Sequence, residues 1–454
     1  MQTIRPSSYG ICGGAYGDEG KGRIVDELVH ELSLKGNVVV YRDNGGANAG
    51  HTVEFPTGER VALHQLPSGV FVKGATVVLG KEMVVHPEDL LSEIEQISRV
   101  KATLDRAQIK IDELVILSLD THRAYEAVLK DWQEGSKGST GRGIAPAYAD
   151  VILRQPLRMR DVIAGNRKKI EAHYNLYAAL ITGLGHELAT TLVPRLTGEA
   201  VMVGTCAEFT SKLLAQADQL GQYVSDLRDW ISEKWNDPKC AFVFEKAQAI
   251  GLDTRWGVYP DVTASDTTFG GIFSATEGVI DPDRFQIKAG VIKATYMSSV
   301  GARRLPTLVT GELAERIRKD AHEYGATTKR PRDIAFLDLP ALKYFARVGH
   351  CSSLILTHMD VVYPDHPVKI CTEYRVNGKV EAYHPDQQFL DKVEPVYEEL
   401  KSWDIKKLAA AKTYQELPIE AQQFLTFISK EIGVPIVMIT TGPQREQGIR
   451  LAIF

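Results

Sequence analysis

Seven short, continuously apolar or β-branched runs, at residues 38–41, 76–79, 114–117, 201–203, 241–244, 354–357 and 435–440, recur between stretches of helical character. Runs with no polar alternation suit strands buried on both faces, the condition met inside a parallel sheet covered by helices. Helical candidates at 87–98, 170–184 and 207–235 lie between them. The alternation predicts an α/β fold with a large, mostly parallel central sheet flanked by helices. The span 163–237 is long and mostly helical, so it reads as an insertion or cap on that sheet. Asn377-Gly378, within 364–379, is a hairpin turn signal and predicts a small antiparallel decoration at one edge. Length alone would allow about three domains. No Pro/Gly/Ser-rich linker cuts the chain, so one large domain over 1–454 is expected.

Chemistry gathers at the ends of the predicted strands. Tyr16-Gly17-Asp18-Glu19-Gly20-Lys21-Gly22-Arg23 follows a short apolar segment and leads into an amphipathic stretch at 24–32. Glycines without Cβ let backbone N–H groups crowd an anion at a helix N-terminus, and Lys21 adds a point charge, so the turn reads as a phosphate cradle. It is not a Walker A loop, which would need glycine at position 15 and a hydroxyl after the lysine; those places hold Ala15 and Gly22. A metal ligand must then come from elsewhere, and Asp18 is the candidate, since a carboxylate in an anion site needs a cation or a transferable proton beside it. The same stretch also reads as a tight glycine turn with solvated charges.

Two further glycine-rich loops follow. Asn44-Gly45-Gly46-Ala47-Asn48-Ala49-Gly50-His51-Thr52 brings amides, a hydroxyl and an imidazole after the run at 38–41. His51 could protonate or hydrogen-bond a phosphoryl oxygen near neutral pH, or be a surface histidine on a flexible loop. His64, in Leu63-His64-Gln65-Leu66-Pro67-Ser68-Gly69-Val70, reads as structural. The third loop, Gly138-Ser139-Thr140-Gly141-Arg142-Gly143-Ile144-Ala145-Pro146-Ala147-Tyr148 with Arg154 beyond, combines hydroxyls and arginines that favour a phosphate oxyanion. A net charge of −5 argues against a broad nucleic-acid surface while allowing local basic sites. Five scattered cysteines in no CxxC pair indicate neither a disulfide framework nor a zinc site, and a reducing cytoplasm is expected. The N-terminus has no apolar signal region and no run reaches membrane-spanning length, so neither secretion nor membrane insertion is expected.

The order of these motifs resembles the adenylosuccinate synthetase family. Further matches run to the far end: Glu245-Lys246-Ala247-Gln248, Tyr259-Pro260-Asp261-Val262-Thr263, Ser299-Val300-Gly301, Gly325-Ala326-Thr327-Thr328-Lys329-Arg330-Pro331-Arg332, Thr357-His358-Met359-Asp360 and Thr440-Thr441-Gly442-Pro443. The resemblance implies a P-loop NTPase-like fold and a GTP-hydrolysing C–N ligase of purine biosynthesis. Such an enzyme joins L-aspartate to inosine monophosphate (IMP) through a 6-phosphoryl intermediate, with magnesium, as a cytoplasmic homodimer.

Roles carry over by position. Asp18 matches the general base and His51 its acid partner, with Lys21 and Gln248 also in the catalytic set. Asp18 and the carbonyl of Gly50 match the magnesium ligands. Asn48, Thr140, Gln248, Thr263 and Arg330 match IMP contacts, and Arg154 matches an arginine reaching the nucleotide from the partner subunit. Ala326, Thr327, Thr328 and Arg330 match the aspartate-binding segment. Gly20, Lys21, Gly22, Gly50, Thr52, Arg332, His358, Asp360, Thr440 and Gly442 fall on GTP-binding positions. The Asp360 carboxylate can accept from guanine N1–H and the 2-amino group, neither of which adenine offers.

The pattern also departs from the family. His358 stands for a usual lysine, Lys329 for a glycine, Asp333 for a common arginine, and Tyr16 for a tryptophan. Ser299 and the run Ala302-Arg303-Arg304 differ from a usual arginine before Val300 and a glycine-proline after it, and Lys246 and Ala249 interrupt a glycine-rich run. Two other functions stay open: a paralogue acting on a 2-aminopurine nucleotide such as dGMP, and a non-catalytic GTP-binding regulatory protein. Retention of Asp18 speaks against the first, and Asp18 together with His51 against the second.

Overall fold

In the computed structural model, which describes residues 4–55, 57–130, 139–299, 303–325 and 331–451, the apolar runs assemble into one ten-stranded sheet. In chain order its strands are β1 (Arg5–Gly13), β2 (Asn37–Arg42), β3 (Ala75–Leu79), β4 (Gln108–Asp112), β5 (Val224–Ser225), β6 (Cys240–Glu245), β7 (Phe285–Lys293), β8 (Ser353–Thr357), β9 (Ile436–Thr440) and β10 (Gly448–Arg450). Their spatial order is β5-β4-β3-β2-β6-β1-β7-β8-β9-β10. Every pair is parallel except β9 with β10.

The continuous apolar runs follow from burial on both faces. In β2, Val38 and Val40 enter one core while Val39 and Tyr41 enter another; in β6, Ala241 and Val243 join the first and Phe242 and Phe244 the second. Side chains of a strand alternate between faces, so two cores require apolar residues at every position. Parallel strands also send their carboxyl ends to one edge of the sheet. The turns after β1, β2, β6, β8 and β9 therefore open together, where ligands bind in folds of this kind.

The helix expected at 87–98 is present as Pro87–Ser98, with His86 capping it by accepting the Asp89 N–H at 3.3 Å. The span expected to be a helical insertion holds helices Arg167–Gly183, Cys206–Leu220 and Arg228–Asn236, but also a hairpin of Leu192–Pro194 with Ala200–Met202. The single helix expected over 207–235 is divided by a 3₁₀ turn at Gly221–Tyr223 and by β5, which pairs with β4 at the sheet edge. Of the runs expected to be strands, 201–203 lies in that hairpin, and within 114–117 only Ile116–Leu117 is extended, paired with Val84–Val85. Asn377 and Gly378, at φ 52° and 76°, make the expected hairpin turn between Val368–Val376 and Lys379–Glu381. That hairpin is one side of a separate six-stranded sheet, larger than the pair anticipated.

Phe244 shows how tightly the second core is filled: it is fully buried, and its ring stacks on Phe285 at a centroid distance of 4.8 Å. Phe244→Ala should cost about 3–5 kcal/mol of unfolding free energy, measured as a fall in the urea midpoint at unchanged slope.

Candidate nucleotide site

The first glycine turn leaves β1 with three left-handed residues, Gly17 (φ 100°), Asp18 (φ 63°) and Gly20 (φ 88°), before helix α1 (Lys21–Ser33) begins. Gly20 is the N-cap, no side chain caps the helix, and its first turn holds no acidic residue. The N–H groups of that turn are left for another acceptor. Glu19 folds back instead: its carboxylate accepts the Gly17 N–H at 2.6 Å and the Lys21 ammonium at 2.9 Å. Its carbonyl accepts the Thr357 hydroxyl at 2.8 Å, fixing the turn to the end of β8. Gly22 is required by a close approach, since a Cβ there would lie 2.8 Å from the His51 Cβ and 2.9 Å from the Ser68 Oγ. The second glycine loop thus lies across the first turn of α1.

His51 opens a short strand, His51–Glu54, paired with Arg60–Leu63. Its ring is buried, and Nδ1 lies 2.8 Å from Oε1 of Glu245, the last residue of β6. Ser68 donates to the same carboxylate through its N–H (2.8 Å) and its hydroxyl (2.7 Å). Burial alone would raise Glu245, but His51, Arg42 and the Ser68 N–H overcome it and hold the group down to about 2. Burial pushes His51 below its ordinary 6.5 against the pull of Glu245. Near pH 7 the ring is therefore neutral, with its proton on Nδ1 facing Glu245. Nε2 is buried and has no partner among the described residues. A carboxylate orienting an imidazole whose far nitrogen is unengaged is the arrangement of acid–base catalysis.

The loops after β2 and β6 interlock beside this pair. Asn44 donates to the Ala247 carbonyl (3.3 Å) and the Ser265 hydroxyl (3.0 Å), and accepts the Ala247 N–H (2.9 Å). A Cβ on Gly45 would meet the Ala247 Cβ at 2.5 Å and the Gln248 Oε1 at 3.0 Å. Gln248 is left-handed at φ 56°. Both atoms of its amide are buried without partners among the described residues, as is the hydroxyl of Thr263. The Asn48 Oδ1 accepts the Gly46 N–H at 3.1 Å.

On the other side of β1, the carboxyl ends of β8 and β9 meet. Thr440 accepts the His358 N–H through its hydroxyl (3.2 Å) and the Met359 N–H through its carbonyl (3.2 Å). Burial holds His358 down to about 4, so the ring is neutral at pH 7, and it meets Tyr296 edge-on at 5.9 Å. Burial raises Asp360. Gly442 is packed so that a Cβ would lie 2.4 Å from the Gln447 Oε1. Arg332 pairs with Asp18 and also reaches the Glu323 Oε2 at 2.7 Å; burial brings the guanidinium down to about 10. Glu323 in turn pairs with Lys293 and accepts the Tyr296 hydroxyl at 2.6 Å.

Asp18, Lys21, His51, Gln248, Thr263, Arg332, His358, Asp360 and Thr440 thus lie on or next to the turns at one sheet edge. Gly50, Thr52, Thr140 and Arg154 are exposed. Thr140 precedes helix α2 (Ile144–Ile152), whose N-cap is again a left-handed glycine, Gly143, with no side-chain cap. Ala326, Thr327, Thr328 and Arg330 lie outside the described residues. Glu245 and Asn44 carry structure that motif reading left without a role. The signal for Glu245 was an acidic residue closing a fully apolar run, which puts a charge at a strand's carboxyl end.

Two places could concern a cation. His122, Asp150 and His173 form a buried cluster, but the His122 Nδ1 accepts the Leu119 N–H at 2.9 Å, which puts the neutral ring's proton on Nε2, 3.0 Å from Asp150. The nitrogen facing the cluster carries hydrogen rather than a lone pair. Thr121 lies 2.8 Å from the His173 Nε2 and Tyr177 donates to Asp150 at 3.0 Å, so the cluster is a hydrogen-bonded brace for α2. Asp18, by contrast, pairs with Arg332, and its carboxylate is a hard-oxygen donor of the kind that takes magnesium.

A mostly parallel sheet with uncapped helix N-termini and converging polar side chains at its carboxyl edge defines a nucleotide-binding α/β protein. The adenylosuccinate synthetase family model matches residues 10–449, and the chain belongs to that family of purine-biosynthetic ligases. It is 33% identical over 446 residues to the adenylosuccinate synthetase of Magnetococcus marinus, covering 97% of this chain and 98% of that one. It is 34% identical over 448 residues to that of Salinibacter ruber, covering 96% of each. The fully ligated adenylosuccinate synthetase of Plasmodium falciparum superposes with a TM-score of 0.84 at 29% identity, over 98% of this chain and 100% of that one. The cyanophage S-2L succinoaminodeoxyadenylate synthetase bound to dGMP and dATP shares the fold, with a TM-score of 0.59 at 16% identity over 100% and 97%. No helix among the described residues is long and apolar enough to cross a membrane.

Glu245→Gln keeps an acceptor for the His51 ring but removes the charge that orients and supports it, and should lower the rate of adenylosuccinate formation on the order of 10²-fold. A loss under about threefold, in an absorbance assay of adenylosuccinate formation, would contradict the dyad. His358 binds a proton less readily folded than unfolded, so its contribution to stability is present above pH 6.5 and lost as pH falls through that value toward about 4. The difference in urea midpoint between wild type and His358→Gln should shift toward the variant across that window.

Proposed function

We propose that this chain joins L-aspartate to IMP at the expense of GTP, giving adenylosuccinate, GDP and phosphate, and that it does so in two steps. The observation that supports this reading best is that, among the buried polar atoms without a partner among the described residues, four stand on the loops of this site: the His51 Nε2, both amide atoms of Gln248 and the Thr263 hydroxyl. Leaving such groups dry costs about 1–3 kcal/mol each, which is retained in a fold when a ligand supplies the partner. All three residues stand at positions expected to touch IMP or the transferring phosphoryl group.

The purine O6 is a poor leaving group as a lactam oxygen and a good one as a phosphate ester. Asp18 takes the N1 proton, so that O6 gains the charge to attack the γ-phosphorus. His51, protonated as the anionic phosphoryl group approaches, donates from Nε2 to its oxygens while Glu245 holds the other side of the ring. The aspartate amine then displaces phosphate from C6. Magnesium, when bound, supplies charge neutralisation on the phosphoryl oxygens, and Asp18 with the Gly50 carbonyl would hold it. Thr440, Gly442, His358, Asp360 and Arg332 form the GTP side, with Lys21 and the N-terminus of α1 on the phosphates. Asn48, Thr140, Gln248, Thr263 and Arg330 form the IMP side, and residues 326–330 take the substrate carboxylates.

The working unit is the whole chain, 1–454, as a cytoplasmic homodimer. Arg154 is exposed, and Ile152 and Leu153 beside it are 81% and 63% exposed, an apolar edge that a second copy would cover while bringing Arg154 to its neighbour's nucleotide.

Asp18→Asn removes the base while keeping the side chain's shape, and turnover should fall by roughly 10²- to 10⁴-fold. The assay is the absorbance change with IMP, L-aspartate, GTP and magnesium. Product from dGMP in place of IMP would favour the paralogue, product with ATP would remove the guanine requirement, and GTP binding with no product from any acceptor would favour a regulatory protein.

A further inference from the structure

Arg303, so far only one of the departures from the family pattern, has a fully buried side chain and lies outside the sets of catalytic and ligand-binding positions named above. Its own N–H donates to the Asp261 Oδ2 at 2.7 Å, and Nη2 lies 2.6 Å from the Asp261 carbonyl and 3.0 Å from the same carboxylate oxygen. Nη1 donates to the Ser299 hydroxyl at 2.6 Å. The guanidinium carbon lies over the Tyr16 ring, 5.0 Å from its centre. One cation therefore touches three separate segments: the strand end at Ser299, the loop that carries Thr263, and the residue that leads into the first glycine turn.

The two outer contacts sit close to the chemistry. Asp261 is two residues from Thr263, whose hydroxyl is among the unpartnered atoms, and Tyr16 is two residues from Asp18. Tyr16 is itself fixed, with its hydroxyl 3.1 Å from that of Tyr383 and its ring edge-on to Phe345 at 5.2 Å. A guanidinium can serve Asp261 with one Nη and Ser299 with the other while lying over an aromatic ring, which a lysine ammonium cannot do in one geometry. A buried charge held from both sides sets the spacing of its partners, because moving either one leaves the charge underpaired.

We infer that Arg303 is a positioning residue: by bridging Asp261 to Tyr16 it sets the distance between the purine-side loop and the turn that carries Asp18. The inference rests on the proposed ligase reading, in which Thr263 touches IMP and Asp18 takes its proton. The contacts of Arg303 given above go to Asp261, Ser299 and Tyr16, on the purine side and the first turn, so its loss separates the two nucleotides.

The test is steady-state kinetics of the full-length Arg303→Met and Arg303→Lys proteins, with thermal melts alongside. Arg303→Met should lower kcat/KM for IMP by about 10²-fold, as expected when a substrate is misplaced by about an ångström, while KM for GTP changes less than about twofold. Arg303→Lys should recover only part of the loss. Asp261→Asn keeps the backbone acceptor and removes the charge, so it should shift the same parameter in the same direction, about tenfold, and it serves if Arg303→Met does not fold. An Arg303→Met protein with kcat/KM for IMP within about threefold of wild type overturns the inference, as does an equal loss toward IMP and GTP that tracks the melting temperature. Wild-type protein that forms no adenylosuccinate would instead overturn the ligase reading itself.

Discussion

A carboxylate with no solvent exposure stands at the carboxyl end of the strand beside β1, and the site is arranged around its compensation. Taking a carboxylate out of water costs several kcal/mol unless donors surround it. Glu245 has His51 and two donors from Ser68, with Arg42 contributing charge nearby. The second glycine loop and the segment at 64–70 can meet that requirement in one relative placement only, and that placement aims His51. The segment is held from below by another carboxylate: Glu93, which burial raises to about 7, accepts the N–H groups of His64, Gln65 and Leu66. His64 itself completes the brace, with Nδ1 2.7 Å from the Ala49 carbonyl, the structural role its sequence context indicated.

Two cations at positions expected to bind GTP are engaged within the protein, Lys21 with Glu19 and Arg332 with Asp18 and Glu323. On the proposed reading, nucleotide binding exchanges one set of charge partners for another and leaves no naked charge on either side of the exchange. This is the cheaper route in a partly buried site, where an uncompensated ion costs more than its pairing returns.

Much of this was legible in the chain. β2, β3, β6, β8 and β9 announced themselves because each is buried on both faces and therefore apolar throughout. β1 and β7, which lie next to each other at the middle of the sheet, did not. β1 contains Gly10, where a Cβ would strike the Phe269 ring at 2.6 Å, and Gly13, where it would strike Glu19, Ala249 and Gln248. β7 contains Lys288 and Lys293, buried as partners of Asp283 and Glu323. Glycines placed for close packing and lysines placed for ion pairs erase the apolar signal although both strands are interior. Glycine loops were readable as turns because left-handed φ and close approach leave glycine little competition. The partners across them were not, since Glu245, Asn44 and Asp261 meet their contacts from 42 to 221 residues away along the chain, and no local pattern encodes that.

A crystal structure of the protein with IMP and a non-hydrolysable GTP analogue tests the central claim most directly. IMP should place hydrogen-bonding atoms within about 3.2 Å of the Gln248 amide and the Thr263 hydroxyl, with a γ-phosphate oxygen equally close to the His51 Nε2. Nucleotides bound elsewhere, with those four atoms still dry or satisfied by other side chains, would contradict it.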